Sequence, residues 1–600
     1  MGLDGHPAFG FGYPPRKDPS CPTIYSNPID ILVWMVSAAT NSVLGLDSRL
    51  HWRWRTRLGS AFQVLAESRL VVWAVFTVVY VIPTVYLARL KLFWDDEFFT
   101  LYISRTSSWH DLLQALATGA DQHPPSFYYL THLLTIVFGS NHVTWRLPAI
   151  LGFWLLCICL YEIVRDLTTP EWAAVAIFFP LSTGFYYYAS EARGYGLVCG
   201  FAALAMLSWL RSTAYRKRTV YIPLLAVALA AAVASHYYAI LVVIPLALGE
   251  LVRTRSIGRI DWPIWIAFSA ACVPILAFLG TIRSARGYSG HFWAIPVWSD
   301  AISFYPNEFG LGACALLGTL AIALSFRMIR RSGTEEPSAA LRGRAWNAWQ
   351  AVAVCTLAAL PLPTILLAKF VTHGFTSRYC ISAMVGVIVL IFYFVSRFAL
   401  GRSAAAIGII ACVFVFVLQA RQMKSRFEEV REEMNQDITA LSSLPDAPIA
   451  VMEVSVIHRL SYYAPRRLAS RLVYVADPSS SISYLGHDTV DRGLLDLRLW
   501  FPIDIVRADS FLTDNPQFYV FGETNTWSWL TFDLSKWGQT KLLARGERGR
   551  LLFSIDHVRV SADPAAVRQQ RVLQSEMLFA TLPREGPSLC SLYMGPRSCP

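Results

Sequence analysis

Three consecutive carboxylates, Asp95, Asp96 and Glu97, stand between Phe93-Trp94 and Phe98-Phe99, directly after a long apolar run. Ionised acids at a lipid boundary are costly, so three of them framed by four aromatics exceed what an ordinary acidic membrane edge needs. Adjacent carboxylates repel one another, which raises the pKa of one member and suits it to accept a proton. The candidate catalytic residues are therefore Asp95, Asp96 and Glu97, with Asp95 ranked ahead of Asp96. Asp95 and Asp96 could also ligate a divalent metal cation, although nothing in the sequence requires one.

Other polar groups interrupt the apolar pattern farther along. They are His123 before Pro124-Pro125, then Glu191, Arg193 and Tyr195 in Ser-Glu-Ala-Arg-Gly-Tyr, then His236 and Tyr237, Arg283, and Arg378 with Tyr379. Each has a bland explanation: a helix start for His123, a local ion pair for Glu191 and Arg193, an interfacial histidine in a tight turn for His236. Arg378 at a helix start is harder to dismiss, because a guanidinium there can hold an anion together with free backbone N–H groups. A carboxylate to activate a hydroxyl, cations to stabilise a departing phosphate and apolar surroundings for a lipid tail describe group transfer from a lipid phosphate.

The elements that must position these groups are membrane spans. In 600 residues, 54% are hydrophobic and 16% charged, against roughly 25% charge in soluble chains. Mean hydropathy is +0.42, which excludes a cytosolic enzyme, a disordered chain and a disulfide scaffold. Basic residues cluster at 49–57, 211–218, 253–259, 327–344 and 397–402, and such clusters mark cytoplasmic loops. Placing them inside puts 190–194, 235–238, 283–308 and 370–378 outside. The apolar stretch 124–139 is shorter than the roughly 20 residues a bilayer requires, and counting it as a span would invert every later loop. It is expected to lie in the plane of the outer surface. Eleven spans result, at about 69–89, 146–164, 171–189, 195–211, 219–235, 237–252, 262–282, 309–327, 348–369, 379–397 and 403–420. The polar groups named above then share one face.

Residues 1–68 are expected to be a cytoplasmic segment with an interfacial helix over 29–46, and residues 421–600 an external mixed α/β domain. In the latter, PIAVMEV, RLVYVAD, DIVRAD, QFYVFGE and RLLFSID read as strands, and VIHRLSYYA as a helix between the first two. No Gly-rich phosphate fingerprint occurs there, and no internal repeat is visible in the chain. Most cysteines lie in apolar runs as small hydrophobes; Cys590 and Cys599 flank a Gly-Pro turn and could pair in an oxidising compartment. The formal charge of +11 belongs to the cytoplasmic loops, so no nucleic-acid partner is expected.

Taken in order, these motifs resemble the membrane-embedded glycosyltransferases of the GT-C fold that use polyprenyl-phosphate sugars, among them protein O-mannosyltransferases, the aminoarabinose transferase of lipid A and the Rgt-type galacturonosyltransferases. The resemblance rests on the Asp-Asp-Glu run, the His-Pro-Pro at 123–125, Trp145-Arg146-Leu-Pro-Ala, Ser-Glu-Ala-Arg-Gly-Tyr at 190–195, Ser-His-Tyr-Tyr at 235–238 and Ser-Arg-Tyr at 377–379. It covers roughly 69–420, with a departure at Cys380, where many relatives have a proline within the motif that follows. It implies a polytopic helical catalytic domain with juxtamembrane helices in its first external loop. It further implies that an acid of that loop is the catalytic base or a metal ligand, and that Arg378, Arg193, Arg283 and His123 lie near the donor phosphate. The implied function is an inverting glycosyltransferase that moves a sugar from a polyprenyl-phosphate donor to a hydroxyl acceptor, on a lipid, polysaccharide or protein, at the outer face of a bacterial cytoplasmic membrane. The rival expectation is a transporter or flippase for lipid-linked saccharides, with the same charged groups lining a pathway.

Overall fold

A computed structural model of the chain describes residues 66–329, 346–397, 402–523, 528–533, 537–545 and 550–556. The 29–46 helix and the Cys590–Cys599 pair lie outside them.

Among the described residues, six helices are long and apolar enough to cross a membrane, or up to eight if each of two bent pairs counts as one span. They include α1 (Arg69–Leu90), α5 (His142–Leu167), α7 (Tyr195–Thr213) and α8 (Arg218–Ser235). A helical stretch over Tyr237–Ile257 follows, whose α-helical part is α9 (Val243–Ile257). The bent pairs are Trp262–Ala277 with Leu279–His291 and Ala348–Ala358 with Pro361–Thr372. The expected spans at 309–327 and 379–397 fall in α10 (Trp298–Ile329) and the shorter α11 (Ala383–Arg397). The last, α12 (Arg402–Ser442), runs on as a charged strut.

The first connection carries α2 (Asp95–Ser104), α3 (Trp109–Ala117) and α4 (Pro125–Phe138). With 14 residues, α4 has the shortness that argued against a span.

The expected span at 171–189 is not one helix. Only α6 (Pro170–Ala176) is α-helical, and two 3₁₀ turns follow over Phe179–Ser182 and Gly184–Ser190. Pro180 and the Ser182-Thr183-Gly184 run break the helix. Irregular backbone at membrane depth survives only when protein surrounds it, and nearly all of 172–190 is buried here. The segment still crosses the bundle, since its start follows α5 and its end, Ser190, accepts a bond from Lys91 Nζ at 3.4 Å.

The two ends of the bundle differ in chemistry. At one end, Glu162 and Asp166 pair with Arg69, Arg211 and Arg216, while Glu250 and Asp261 pair with Arg253 and Arg218. These are the basic loops assigned inward from the sequence. The opposite end gathers Lys91, Ser190 to Tyr195, His236 and Arg378. Small residues let the helices meet closely there: a Cβ on Gly152 of α5 would lie 2.4 Å from the Gly196 backbone of α7.

Beyond α12 the chain forms a six-stranded sheet in the order β3-β2-β1-β4-β6-β5. Strands β1 (Ile449–Val451), β2 (Leu472–Ala476), β3 (Asp504–Arg507) and β4 (Gln517–Glu523) are parallel neighbours. Strands β5 (Gln539–Arg545) and β6 (Arg550–Asp556) add an antiparallel hairpin on β4. All five strands anticipated from the sequence are present; β5, QTKLLAR, was not among them. Helix α13 (Val454–Tyr463) leaves β1 and packs on α2. The sheet's residues and α2 thereby share one apolar cluster.

Candidate active site

An α-helix turns about 100° per residue, so adjacent side chains cannot face the same partner. The three acids that open α2 diverge accordingly. Glu97 points into the bundle, where both its oxygens are engaged by Arg146, Nε at 2.8 Å and Nη2 at 2.6 Å. The Ala192 N–H adds a bond at 2.8 Å, and Lys91 Nζ stands 3.7 Å away. Burial works to raise the Glu97 pKa, but Arg146 and Lys91 outweigh it and hold the group below its ordinary range. Arg146 also donates to the carbonyls of Ala88, Lys91 and Leu92, closing the end of α1.

Asp96 faces the loops that precede α7 and α11. Its Oδ2 accepts from Arg378 Nη1 at 2.5 Å, and its carbonyl accepts from Arg193 Nη1 at 3.2 Å. Burial raises its pKa, yet Arg378 and Arg193 prevail and keep it lowered. Arg193 is in turn clamped by both oxygens of Asp121, at 2.8 and 3.1 Å.

Arg193 Nη2 lies 2.8 Å from His123 Nδ1. Arginine only donates, so Nδ1 accepts and the imidazole proton sits on Nε2. The longer 3.4 Å approach of Asp121 to the same nitrogen does not compete. Burial and Arg193 lower the His123 pKa to about 4, so the ring is neutral. Its Nε2–H has no protein partner among the described residues. Rings line this corner: His236 at 4.8 Å and Tyr195 at 5.5 Å from His123, Tyr379 at 5.2 Å from His236, and Tyr195 beneath the Arg378 guanidinium at 5.5 Å. Gly194 is required here, because a Cβ would meet Ser235 O at 2.4 Å.

Asp95 has no such company. Its Oδ1 is buried without a protein partner among the described residues. Burial pushes the carboxyl up to about 7, against the pull of Arg459. Glu191, 1% exposed, has both oxygens unpartnered among the described residues and is likewise pushed up to about 7 by burial.

Asp95, Asp96, Glu97, His123, Glu191, Arg193, Tyr195, His236, Arg378 and Tyr379 thus lie in one neighbourhood. Tyr237 instead turns its hydroxyl to Thr281 at 3.0 Å. Among the described residues, no hydrogen bond or ion pair joins Tyr237 or Arg283 to the acid cluster. Sequence reasoning assigned no role to Lys91, Asp121 or Arg146, all buried partners of the charged groups. A lone arginine in the first turn of an apolar helix was the available signal for Arg146, since such a charge requires a partner. The divergence of Asp95 and Asp96 also argues against a shared cation: among the described residues no group of three His, Cys, Asp or Glu side chains could hold a metal ion.

A multispanning helical membrane protein with a buried charged site at one end of its spans is the class defined so far. Residues 122–279 match the family described as dolichyl-phosphate-mannose-protein mannosyltransferase. Over that stretch the chain is similar to a glycosyltransferase family, the kind its motifs resemble. The matched stretch contains His123, Glu191, Arg193, Tyr195, His236 and Tyr237, while the acids of α2 and Arg378 lie outside it. No curated protein matches in sequence. Among solved structures, ArnT from Cupriavidus metallidurans in the apo state is 14% identical, with 82% of this chain and 98% of that chain covered and a TM-score of 0.44. The same protein bound to undecaprenyl phosphate is 13% identical, covering 82% and 99%, with a TM-score of 0.45. The Archaeoglobus fulgidus oligosaccharyltransferase, crystallised with Zn and sulfate, is 10% identical, covering 80% and 73%, with a TM-score of 0.36. Likeness this loose carries no argument about substrate.

Proposed function

We propose that this chain transfers a sugar from a polyprenyl-phosphate donor to an acceptor hydroxyl at the outer face of a bacterial cytoplasmic membrane, with inversion at the sugar carbon. The observation that carries the reading is the Asp96–Arg378 pair, which joins the first external connection to the last one, 282 residues away, in the buried corner held by Arg193 and His123. That corner offers cationic and neutral donors to a phosphate beside the apolar end of the spans. In the reaction, Asp95 as carboxylate takes the acceptor proton, the acceptor oxygen attacks the anomeric carbon, and the bond to the phosphate oxygen breaks. The lipid phosphate leaves with the electron pair, stabilised by Arg378 and the Nε2–H of His123. Glu97, saturated by Arg146 and the Ala192 N–H, positions α2 and takes no proton.

A transporter would use ionisable groups spaced through the bundle's depth, whereas here the buried ion pairs collect at its two ends. The deciding experiment offers a panel of labelled polyprenyl-phosphate sugars to the purified chain and to Asp95→Asn. Transfer by the former and none by a folded Asp95→Asn is expected; equal turnover by both would remove this mechanism.

A further inference from the structure

Arg378 reaches Asp96 from a segment with an unusual path. The end of Pro361–Thr372 is a π-helical turn over Ala368–Thr372, and His373 after it takes a left-handed conformation at φ +58°. A wide turn and a positive φ outside glycine both cost energy, so neighbouring contacts have to fix them. The external loop that follows Leu279–Ala285 supplies two. The Phe375 N–H donates to Ala294 O at 2.9 Å, and Gly374 lies so near Phe292 that a Cβ would stand 2.6 Å from its ring. Tyr238 Oη adds a bond to Gly374 O at 3.1 Å. Just beyond, Arg378 Nε donates to Thr376 Oγ1 at 3.3 Å and Nη1 to Asp96 Oδ2.

That external loop is held in turn by the C-terminal domain. In helix α14 (Thr489–Leu497), Leu494, Leu495 and Leu497 join the apolar cluster, while Thr489, Arg492 and Asp496 share one stripe at i, i+3 and i+7. The stripe lies against residues 287–293. Thr489 Oγ1 donates to His291 O at 3.1 Å and accepts the Trp293 N–H at 3.2 Å. Arg492 Nη1 donates to Gly287 O at 2.9 Å, and its guanidinium stands 4.3 Å over the buried Tyr288 ring, whose hydroxyl donates to Asp496 Oδ2 at 2.5 Å. The same domain also grips the approach to α2, where Tyr463 Oη of α13 accepts the Phe93 N–H at 3.1 Å.

We propose that the C-terminal domain splints the donor corner, holding Asp96 through Tyr463 and Arg378 through the 287–294 loop, with Thr489 as the positioning residue of the second arm. This rests on the phosphate-binding role given to Arg378 above. Placement passes from Thr489 to Trp293 and Ala294, from Ala294 to Phe375, and so to the guanidinium. A hydroxyl that donates and accepts at once is replaceable by serine but not by valine, which fills similar space and does neither.

The test uses the full chain in detergent, carrying Thr489→Val or Thr489→Ser, each alone and combined with Arg378→Ala. Thr489→Val should speed backbone hydrogen exchange over 286–294, and together with it over 373–378, by roughly tenfold, while Thr489→Ser keeps the wild-type rates. Affinity for free polyprenyl phosphate should fall roughly three- to tenfold in Thr489→Val and be kept in Thr489→Ser. In Arg378→Ala the added valine should cost no further affinity, because the group it positions is gone. If Thr489→Val fails to fold, Tyr288→Phe takes its place, since it removes a hydroxyl from the same contact. Wild-type exchange over 373–378 in the folded variant, or an equal affinity loss with and without Arg378, overturns the proposal. Failure of the wild type to bind polyprenyl phosphate would overturn the role given to Arg378, and the exchange would still report the splint.

Discussion

Asp95 and Asp96 are chain neighbours with opposite surroundings. Asp96 is matched by Arg378 and Arg193, and its charge is settled before any substrate arrives. Asp95 meets a desolvated seam with one remote arginine, and its carboxyl sits near neutrality. Both lie on one helix with similar covalent chemistry, so the difference comes from which element each faces: charged loops for Asp96, the docked domain for Asp95. A paired acid organises cations for an anionic group. An unpaired acid with a raised pKa can gain and lose a proton near neutral pH.

Glu97 sharpens this contrast, and disrupting it should have the largest effect. Glu97→Ala leaves Arg146 and Lys91 buried without their carboxylate, a loss of about 3–5 kcal/mol. Thermal unfolding in detergent should show a collapse of Tm for Glu97→Ala and little change for Asp95→Asn. A wild-type Tm in Glu97→Ala would place Glu97 among the working acids.

Arg378→Ala should come next, lowering kcat/KM by roughly 10²–10³-fold, the usual loss when a donor to developing negative charge is removed. Arg378→Lys should recover part of it, because a point charge replaces the planar fork imperfectly. Inhibition by free polyprenyl phosphate should weaken in parallel. An unchanged inhibition constant would mean that the Asp96 corner does not hold phosphate.

Much of this was legible in sequence and some was not, for physical reasons. Period-2 and apolar patterning located five strands and the helix after the first, because burial on a sheet imposes those patterns directly. Basic loops sorted the ends of the bundle, and the shortness of 125–138 kept it from being read as a span. The 171–189 stretch was read as a helix because hydropathy reports burial, and an irregular segment enclosed by protein is equally apolar. The acids of α2 were visible as a group, but their division of labour was not. Division follows from helical phase against partners 49 and 282 residues away, Arg146 and Arg378.

The pH dependence of transfer separates the two corners more finely. With Asp95 as base, the carboxylate is the active form, so activity should fall as pH drops through about 7 and approach a tenfold loss per unit below it. Asp96, held low by Arg378, stays ionised across the same range. A kcat/KM profile flat from pH 5 to 8 would dissociate Asp95 from proton transfer.

The smallest effect should appear where the domain docks. His458 is fully buried among Phe98, Phe99, Tyr102 and Phe501, with neither ring nitrogen partnered among the described residues, and burial lowers its pKa to about 3. An undocked histidine titrates near 6.5. The undocked state therefore binds more protons between these values, so docking is strongest above about 6.5 and weakens as pH falls towards 3. The slope is about 1.4 kcal/mol per pH unit within that window. Backbone hydrogen exchange over 454–463 should accelerate between pH 7 and 5.5 beyond the intrinsic chemical effect, and His458→Leu should remove the excess. If the excess persists in His458→Leu, a group other than His458 governs the seam.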